Sequence, residues 1–154
     1  NFLKDNNLLF EEGIYHEDSE FRVRSLLLAQ TVMSTPSVCY NYLQRTSGSI
    51  TARFKLKNGL DMLFVLNRHY NFVQQYDNDV KIAIYKKIGM WMNSILLGIR
   101  QLGGDEYETL FQELKASKNL FYAMRHSGNL KYIIEGSLLD TNVRLGLKIH
   151  SVLR

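Results

Sequence analysis

A single proline, Pro36, stands in a chain of 154 residues. Because proline removes a backbone donor and breaks helices, its near-absence allows long helices and is untypical of turn-dense all-β folds. Apolar residues also recur at helical spacing after residue 53. The pattern is clearest in two stretches: Met62, Leu66, His69, Val73 and Tyr76, and then Ile84, Ile88, Trp91, Ile95, Ile99 and Leu102. We therefore expect residues 53–154 to form a mainly α-helical region.

Turn and capping residues divide this helical region. Gly103-Gly104 is expected to end one helix, and the spacing of Asp105–Glu108 is typical of a capping box that begins the next. The run Asp77-Asn78-Asp79 lies at a junction between helices, where we interpret it as turn and capping chemistry. The last helical stretch covers residues 129–153, and we expect a break near Gly136.

The first 52 residues have a different character. A helix is predicted from about Asp18 to Gln30, with acidic residues in its first turn that complement the helix dipole. Thr31-Val32-Met33 and the run 38–43 are rich in β-forming residues and predict short strands. We expect an α/β remnant with two or three short strands in residues 1–52. So few strands cannot form an independent sheet, which predicts that part of the protein is absent from this chain.

Charge is distributed unevenly along the chain. Residues 1–20 hold one lysine and six acidic residues, net −5, whereas residues 21–154 hold 18 basic and nine acidic residues, net +9. A basic body can face nucleic acid, anionic lipid or a phosphate-bearing substrate, and no nucleic-acid-binding motif supports the first. The lone Cys39 excludes an internal disulfide framework and a multi-cysteine metal site, and we expect it to be a buried small hydrophobe.

The densest polar cluster is His16-Glu17-Asp18 together with Glu20. One interpretation is structural, because acidic residues at a helix N-terminus act as caps and dipole partners. The other is a general base for a hydroxyl group, or a metal ligand. Without a second acidic motif, this cluster cannot hold a divalent ion well.

Residues 45–50 form a second candidate site. Arg45, the hydroxyls of Ser47 and Ser49 and the flexible Gly48 suit a phosphate or diphosphate, although an ordinary solvated loop has the same composition.

The group Met90-Trp91-Met92, flanked by Lys86, Lys87 and Arg100, fits a core, a dimer face or an interfacial membrane helix. No segment has the roughly 18–20 continuous apolar residues of a membrane span. His69, His126 and His150 have no partner at metal-ligand spacing, so we interpret them as structural.

Three segments, in order, resemble one family. They are residues 10–21 (FEEGIYHEDSEF), Tyr40-Asn41-Tyr42 and residues 45–50 (RTSGSI). Together they are similar to the bacterial family 2 glycosyltransferases with a GT-A fold. The second half of the catalytic domain in that family reads like F-x-E-G-x-x-x-E-D-x-x-F, followed by a helix, a short strand and Y-x-Y-x-x-R-x-x-G-S-I. The match covers residues 2–52.

The resemblance implies transfer of a sugar from a nucleotide-sugar to an acceptor hydroxyl, with inversion, in bacterial surface polysaccharide synthesis. Asp18 would be the general base, Glu17 would orient the acceptor, and His16, Arg45 and Ser49 would bind substrate. A divalent metal, Mg²⁺ or Mn²⁺, is implied for the full-length enzyme. None is expected on this chain alone, and neither is activity, because the family's nucleotide-binding half and its Asp-x-Asp motif are missing.

The implied partners are a nucleotide-sugar donor and a glycan or lipid-linked acceptor, and no nucleic acid. The helical region 53–154 would be a C-terminal extension that allows self-association. The implied location is the cytoplasm, with peripheral association at the inner membrane. The alternative function is a non-catalytic helical module for self-association or membrane-surface docking, suggested by the apolar face of residues 84–102 and the positive charge of the body.

Overall fold

A computed structural model describes residues 1–41 and 53–150 of the chain. Within these ranges the secondary structure consists of eight α-helices and one 3-10 turn. The helices are α1 (Phe2–Asp5), α2 (Glu17–Leu28), α3 (Leu56–Val73), α4 (Asn78–Gly98), α5 (Gly104–Ala116), α6 (Lys118–Arg125), α7 (Leu130–Thr141) and α8 (Val143–His150), and the 3-10 turn Ile99–Gln101 follows α4 directly.

The predicted α/β remnant with short strands is wrong, because the described residues contain no strand. Residues 31–33 and 38–41 have no regular secondary structure, and their apolar side chains are exposed, Met33 at 88% and Val38 at 86%. High β-propensity reports how well a side chain packs on a half-buried sheet face. No neighbouring strand within the described ranges supplies such a face, so propensity alone does not produce a strand. Cys39 is likewise exposed, against the expectation of burial.

The helical region is confirmed over residues 53–150, and each of the helices α3 to α8 contributes buried side chains to its core. α4 packs against α3 on one side and against α6 on another, and α6 and α7 form a closely packed pair. The predicted apolar stripe points inward, since Ile88 and Ile95 of α4 and Ile99 of the 3-10 turn are fully buried. Leu66 of α3 and Phe121 of α6 complete the centre of this core.

The predicted start of α5 is confirmed to within one residue, but its capping box and the helix break predicted near Gly136 are wrong. α5 begins at Gly104 without a side-chain cap, and Glu108 accepts a hydrogen bond from Gln112 instead of closing a capping box. The last helical stretch breaks at Asn142, whereas Gly136 lies buried within α7. A Cβ at Gly136 would lie 2.7 Å from Cβ of Met124, so this glycine allows α6 and α7 to approach closely.

The expected role of Asp77 is confirmed. It is the N-cap of α4, and its Oδ1 accepts a hydrogen bond from the Val80 N–H at 3.0 Å. Such a cap satisfies one of the free donors in the first turn of a helix.

The N-terminal segment packs on the outer side of the bundle, where α2 lies against α3. The Tyr76 hydroxyl, just beyond α3, donates to the Leu27 carbonyl at 3.3 Å near the end of α2. The proposed domain boundary at residue 52 lies outside the described residues and stays a prediction. Among the helices of the described ranges, none combines the length and the apolar character needed to cross a membrane.

Candidate functional site

The predicted polar cluster lies at the N-terminus of α2. His16 is the N-cap residue, has a left-handed backbone (φ 67°, ψ 26°) and makes no side-chain capping bond. Glu17 and Asp18 therefore occupy the first turn, where negative charge is favoured by the helix dipole, but they do not cap the helix. The expectation of acidic caps is wrong in this respect. A left-handed conformation is uncommon outside glycine, and here it turns the chain sharply into α2.

The three acidic residues of this turn have different environments. Glu20 is fully buried, and Arg24 donates to both of its oxygens, through Nε and Nη2, at 2.7 Å each. The Nε of Arg68 on α3 lies 3.1 Å from the Glu20 Oε1 atom. Glu17 and Asp18 are exposed, and Asp18 accepts only the N–H of the next residue, at 2.7 Å, among the contacts within the described ranges. Glu20 is thus structural, and the other two carboxylates are accessible to a ligand.

Polar contacts to α3 hold the loop that leads into α2. The N–H of Tyr15 donates to Asp61 Oδ2 at 2.8 Å, and Lys57 Nζ lies 2.8 Å from that same oxygen. Lys57 also donates to the Gly13 carbonyl at 2.7 Å, and Arg68 pairs with Glu11. Because these contacts flank His16, they fix the position from which α2 starts.

His16 lines a cavity of about 320 Å³ between the start of α2, the start of α3 and the end of α4. Its ring lies edge-on to Trp91, with centroids 5.2 Å apart, and its Nε2 is shielded from solvent without a hydrogen-bond partner among the described residues. The other residues that line the cavity are Arg53, Phe54, Asn58, Met62, Ser94, Leu97, Gly98 and Gln101. The cavity is therefore of small-ligand size and combines polar groups with apolar walls.

The aromatic wall of this cavity depends on glycine. A Cβ at Gly98 would lie 2.2 Å from the Phe54 ring, and one at Gly59 would lie 3.2 Å from its far edge. The ring thus occupies space that any other residue at Gly98 would fill. Gln101 further anchors this stretch, since its Oε1 accepts the Phe54 N–H at 3.4 Å.

Lys87 and His69 lie close to the acidic turn at the start of α2. Burial, and then the charge of Arg22, lower the pKa of Lys87 to about 8, while Asp18 raises it. Lys87 Nζ also lies 5.7 Å from the centroid of the Trp91 ring. Lys87 therefore faces the acidic turn. This is not the position of a membrane anchor, which was one interpretation of the sequence.

His69, predicted to be structural, is buried at 1% exposure beside Lys87 and the backbone of Ser19 and Glu20. Neither ring nitrogen has a hydrogen-bond partner within the described ranges. Burial, followed by the charge of Lys87, lowers its pKa to about 4, so the ring is neutral at physiological pH.

His16, Glu17 and Asp18 are consecutive in the chain, and of these three only His16 lines the cavity. Arg45 and Ser49 lie outside the described residues, and their roles stay predictions. Across residues 1–41 and 53–150, no three His, Cys, Asp or Glu side chains are grouped so that they could hold a metal ion. The resemblance implies a divalent metal only for the full-length enzyme, and that implication stays a prediction.

Sequence reasoning missed Asn58 and Gln101, which reach the cavity from separate helical segments. Nothing in their local sequence marks them. Lys87 was named in the sequence as a residue flanking the Trp91 group, and because it precedes Trp91 by four residues it shares the same helix face. Comparisons of the chain with protein-family profiles, curated proteins and solved structures find no match.

Proposed function

We propose that this chain carries the acceptor side of the active site of an inverting glycosyltransferase, with Asp18 as the general base. The observation that carries the proposal is the difference in burial between the carboxylates in the first turn of α2. Glu20 is buried and held by Arg24 and Arg68, while Asp18 and Glu17 stay exposed. The buried carboxylate anchors the helix, so the exposed ones have a fixed position from which to act.

The chemistry needs a carboxylate that accepts a proton late. As the acceptor hydroxyl attacks the anomeric carbon, its proton passes to an Asp18 oxygen and the bond to the nucleoside diphosphate breaks. The nucleoside diphosphate leaves with the bonding electron pair. General-base catalysis of this kind contributes roughly 10²–10⁴-fold in rate. Glu17, the neighbouring exposed carboxylate, would accept a hydrogen bond from the acceptor and orient it.

The cavity beside His16 supports an acceptor of sugar size. It offers the amides of Asn58 and Gln101 and the hydroxyl of Ser94, and the Phe54 ring forms an apolar wall. Sugars present both hydroxyl groups and apolar C–H faces, so polar donors beside an aromatic ring suit them. We propose that the acceptor sugar occupies this cavity while its reactive hydroxyl meets Asp18.

The decisive experiment uses the protein as its gene encodes it. Nucleoside diphosphate release is measured with a panel of nucleotide-sugars, Mg²⁺ or Mn²⁺ and a glycan acceptor extract. Asp18→Asn should lower turnover by about 10²-fold or more while donor binding, measured by calorimetry, changes less than about twofold. Glu106→Gln, which alters an exposed acid of α5, is the matched control and should leave both unchanged.

Two results would overturn the proposal. Unchanged turnover in Asp18→Asn would remove Asp18 from the base role. Tight, metal-dependent binding of a nucleotide-sugar to the 154-residue chain alone would contradict the assignment of this chain to the acceptor side only.

A second candidate function, self-association, is favoured by a different observation. α4 and α7 lie side by side where Gly89 meets Tyr132, and apolar residues of both helices are exposed: Ile82, Met90, Leu130 and Ile134. The apolar stripe within residues 84–102 is largely buried and cannot serve this purpose. Light scattering should show a dimer that Met90→Ser with Ile134→Ser converts to monomer. A monomeric parent protein would rule this candidate out.

A further inference from the structure

A basic cavity lies away from the acidic turn, between the 3-10 turn, α5 and α8. Its volume is about 520 Å³, and it is lined by Arg100, Tyr107, Arg144, Leu147 and Lys148. Three of these five side chains are cationic, and no described residue that lines the cavity is acidic. The proposed sugar-transfer chemistry uses none of them.

Contacts to the surrounding helices orient the two arginines. The Nη2 of Arg100 donates to the Leu147 carbonyl at 3.0 Å, so its side chain crosses from the 3-10 turn to α8. The guanidinium of Arg144 lies 5.3 Å from the centroid of the Phe111 ring. Phe111 in turn stacks on Tyr107, with centroids 6.0 Å apart. These contacts place both guanidinium groups at the wall of the cavity.

Two cationic side chains share one face of α8. Arg144 and Lys148 are four residues apart on one helix face, and α8 as described, Val143–His150, contains no acidic residue. Like charges at this spacing repel each other, and an anion bound between them would relieve that repulsion. A guanidinium pairs bidentately with a carboxylate or a phosphate, and a phosphate carries the larger charge and more acceptor oxygens, so it can meet several cations and a tyrosine hydroxyl at once.

The positive surface continues beyond this cavity. A neighbouring cavity of about 340 Å³ shares Arg144 and brings Lys115 and Lys118 to the same side of the bundle. Asp140 partly offsets that charge, since it lies 3.3 Å from Lys118 Nζ. The most positive potential is therefore expected where Arg100, Arg144 and Lys148 surround one space.

We propose that the cavity lined by Arg100, Arg144 and Lys148 binds a phosphate-bearing ligand. The phosphate can belong to a lipid headgroup or to a soluble phosphate ester, which present the same chemistry to these side chains. The proposal is independent of sugar transfer, because Arg100 and Arg144 do not line the cavity beside His16. The two cavities are nevertheless neighbours along the 3-10 turn, since Gln101 lines one and Arg100 the other.

The test measures two kinds of binding by the 154-residue chain. Calorimetry with inorganic pyrophosphate reports a soluble phosphate, and flotation with phosphatidylglycerol vesicles, compared with phosphatidylcholine vesicles, reports a headgroup. We expect binding in at least one arm, and we expect Arg100→Gln with Arg144→Gln to weaken it at least tenfold. The control Lys4→Gln with Lys86→Gln removes the same charge at exposed sites elsewhere and should retain binding within about twofold.

A further variant separates the site from general charge. Arg144→Lys keeps the charge but loses the paired donors, so its affinity should fall between those of the parent and Arg144→Gln. Thermal unfolding of every variant verifies that the bundle is intact. The proposal is overturned if the parent binds neither pyrophosphate nor anionic vesicles, or if the arginine double variant and the lysine control lose binding equally.

Discussion

Residues 1–41 and the bundle of residues 56–150 bury different kinds of side chain. In the bundle the buried residues are mostly apolar and pack against one another across helices α3 to α8. In the N-terminal segment, as far as residue 41, only Leu8 and Val23 are buried apolar residues, and Ser19 and Glu20 are buried beside them. Ion pairs and hydrogen bonds from α3 hold this segment in place. The bundle contains its own core, whereas the N-terminal segment depends on the surface that the bundle provides.

The difference bears directly on the candidate site. Asp18 and Glu17 belong to the dependent segment, but their position is set by residues of α3 and α4. Hydrophobic burial is non-directional and grows with area, so it makes a bundle stable without specifying single atoms. Hydrogen-bonded ion pairs do specify atoms, and they are what orient the first turn of α2. Substitutions in the bundle core should therefore lower the free energy of unfolding most. Substitutions at the ion pairs of α2 should have smaller effects that are local to α2.

The largest expected effect lies within the bundle. Leu66→Ala removes a fully buried side chain at the centre of α3 and should lower the free energy of unfolding by about 2–5 kcal/mol. Phe64→Ala, two residues away, removes a larger side chain that is 42% exposed, and should cost less than about 1.5 kcal/mol. Urea unfolding measures both. Equal losses would contradict a core centred on Leu66.

The next effect is a pH dependence at the contact between the two regions. The pKa of His69 is about 4 in the folded protein, against the ordinary histidine value of 6.5 that the unfolded chain should show. The unfolded chain therefore binds more protons between these values. The stability from neutral His69 is complete above pH 6.5 and declines as pH falls to 4, by up to about 3 kcal/mol.

His69→Gln tests this pH dependence, because it should flatten the fall in stability between pH 6.5 and 4. His126→Gln changes an exposed histidine and should leave the fall unchanged. An NMR titration of the parent protein gives an independent measurement. A His69 pKa near 6.5 in that titration would contradict the buried, unpartnered ring.

A smaller effect should follow from breaking the attachment of α2. Glu20→Gln keeps the shape of the side chain but removes the charge that Arg24 and Arg68 bind. Because Arg68 is 38% exposed and can recover solvent, the cost should be about 2–3 kcal/mol, near that of a lost charged hydrogen bond. Hydrogen exchange should accelerate in α2 and not in α6. Glu17→Gln, the exposed neighbour, should change stability by less than about 0.5 kcal/mol.

The same contrast explains which features were predictable from sequence. The periodic stripe through Ile88, Ile95 and Ile99 predicted α4 and its buried face because helical burial has a regular spacing. Asp77 was predictable as a cap because capping is a contact between near neighbours in the chain. The strands were mispredicted because a strand depends on partners far along the chain or in another molecule. The break at Asn142 was misplaced because Gly136 serves a contact between helices.

The candidate site was predictable only in part for the same physical reason. His16, Glu17 and Asp18 are consecutive, so their composition alone made them stand out. The cavity beside them combines Asn58, Gln101 and Phe54, which are brought together by the crossing of α3 and α4. No local pattern encodes such a crossing. The separation of a buried Glu20 from an exposed Asp18 also depends on Arg68, which lies far along the chain on α3.

The smallest expected effect comes from one substitution made in both regions. Val38→Thr changes an 86% exposed side chain outside any helix and should alter the free energy of unfolding by less than about 0.5 kcal/mol. Val65→Thr makes the same change at a fully buried position of α3 and should cost about 1–3 kcal/mol, because it buries a hydroxyl. A loss above about 1 kcal/mol for Val38→Thr would mean that this stretch is packed in solution. Its β-forming side chains would then have a partner surface, and the contrast between the two regions would no longer hold there.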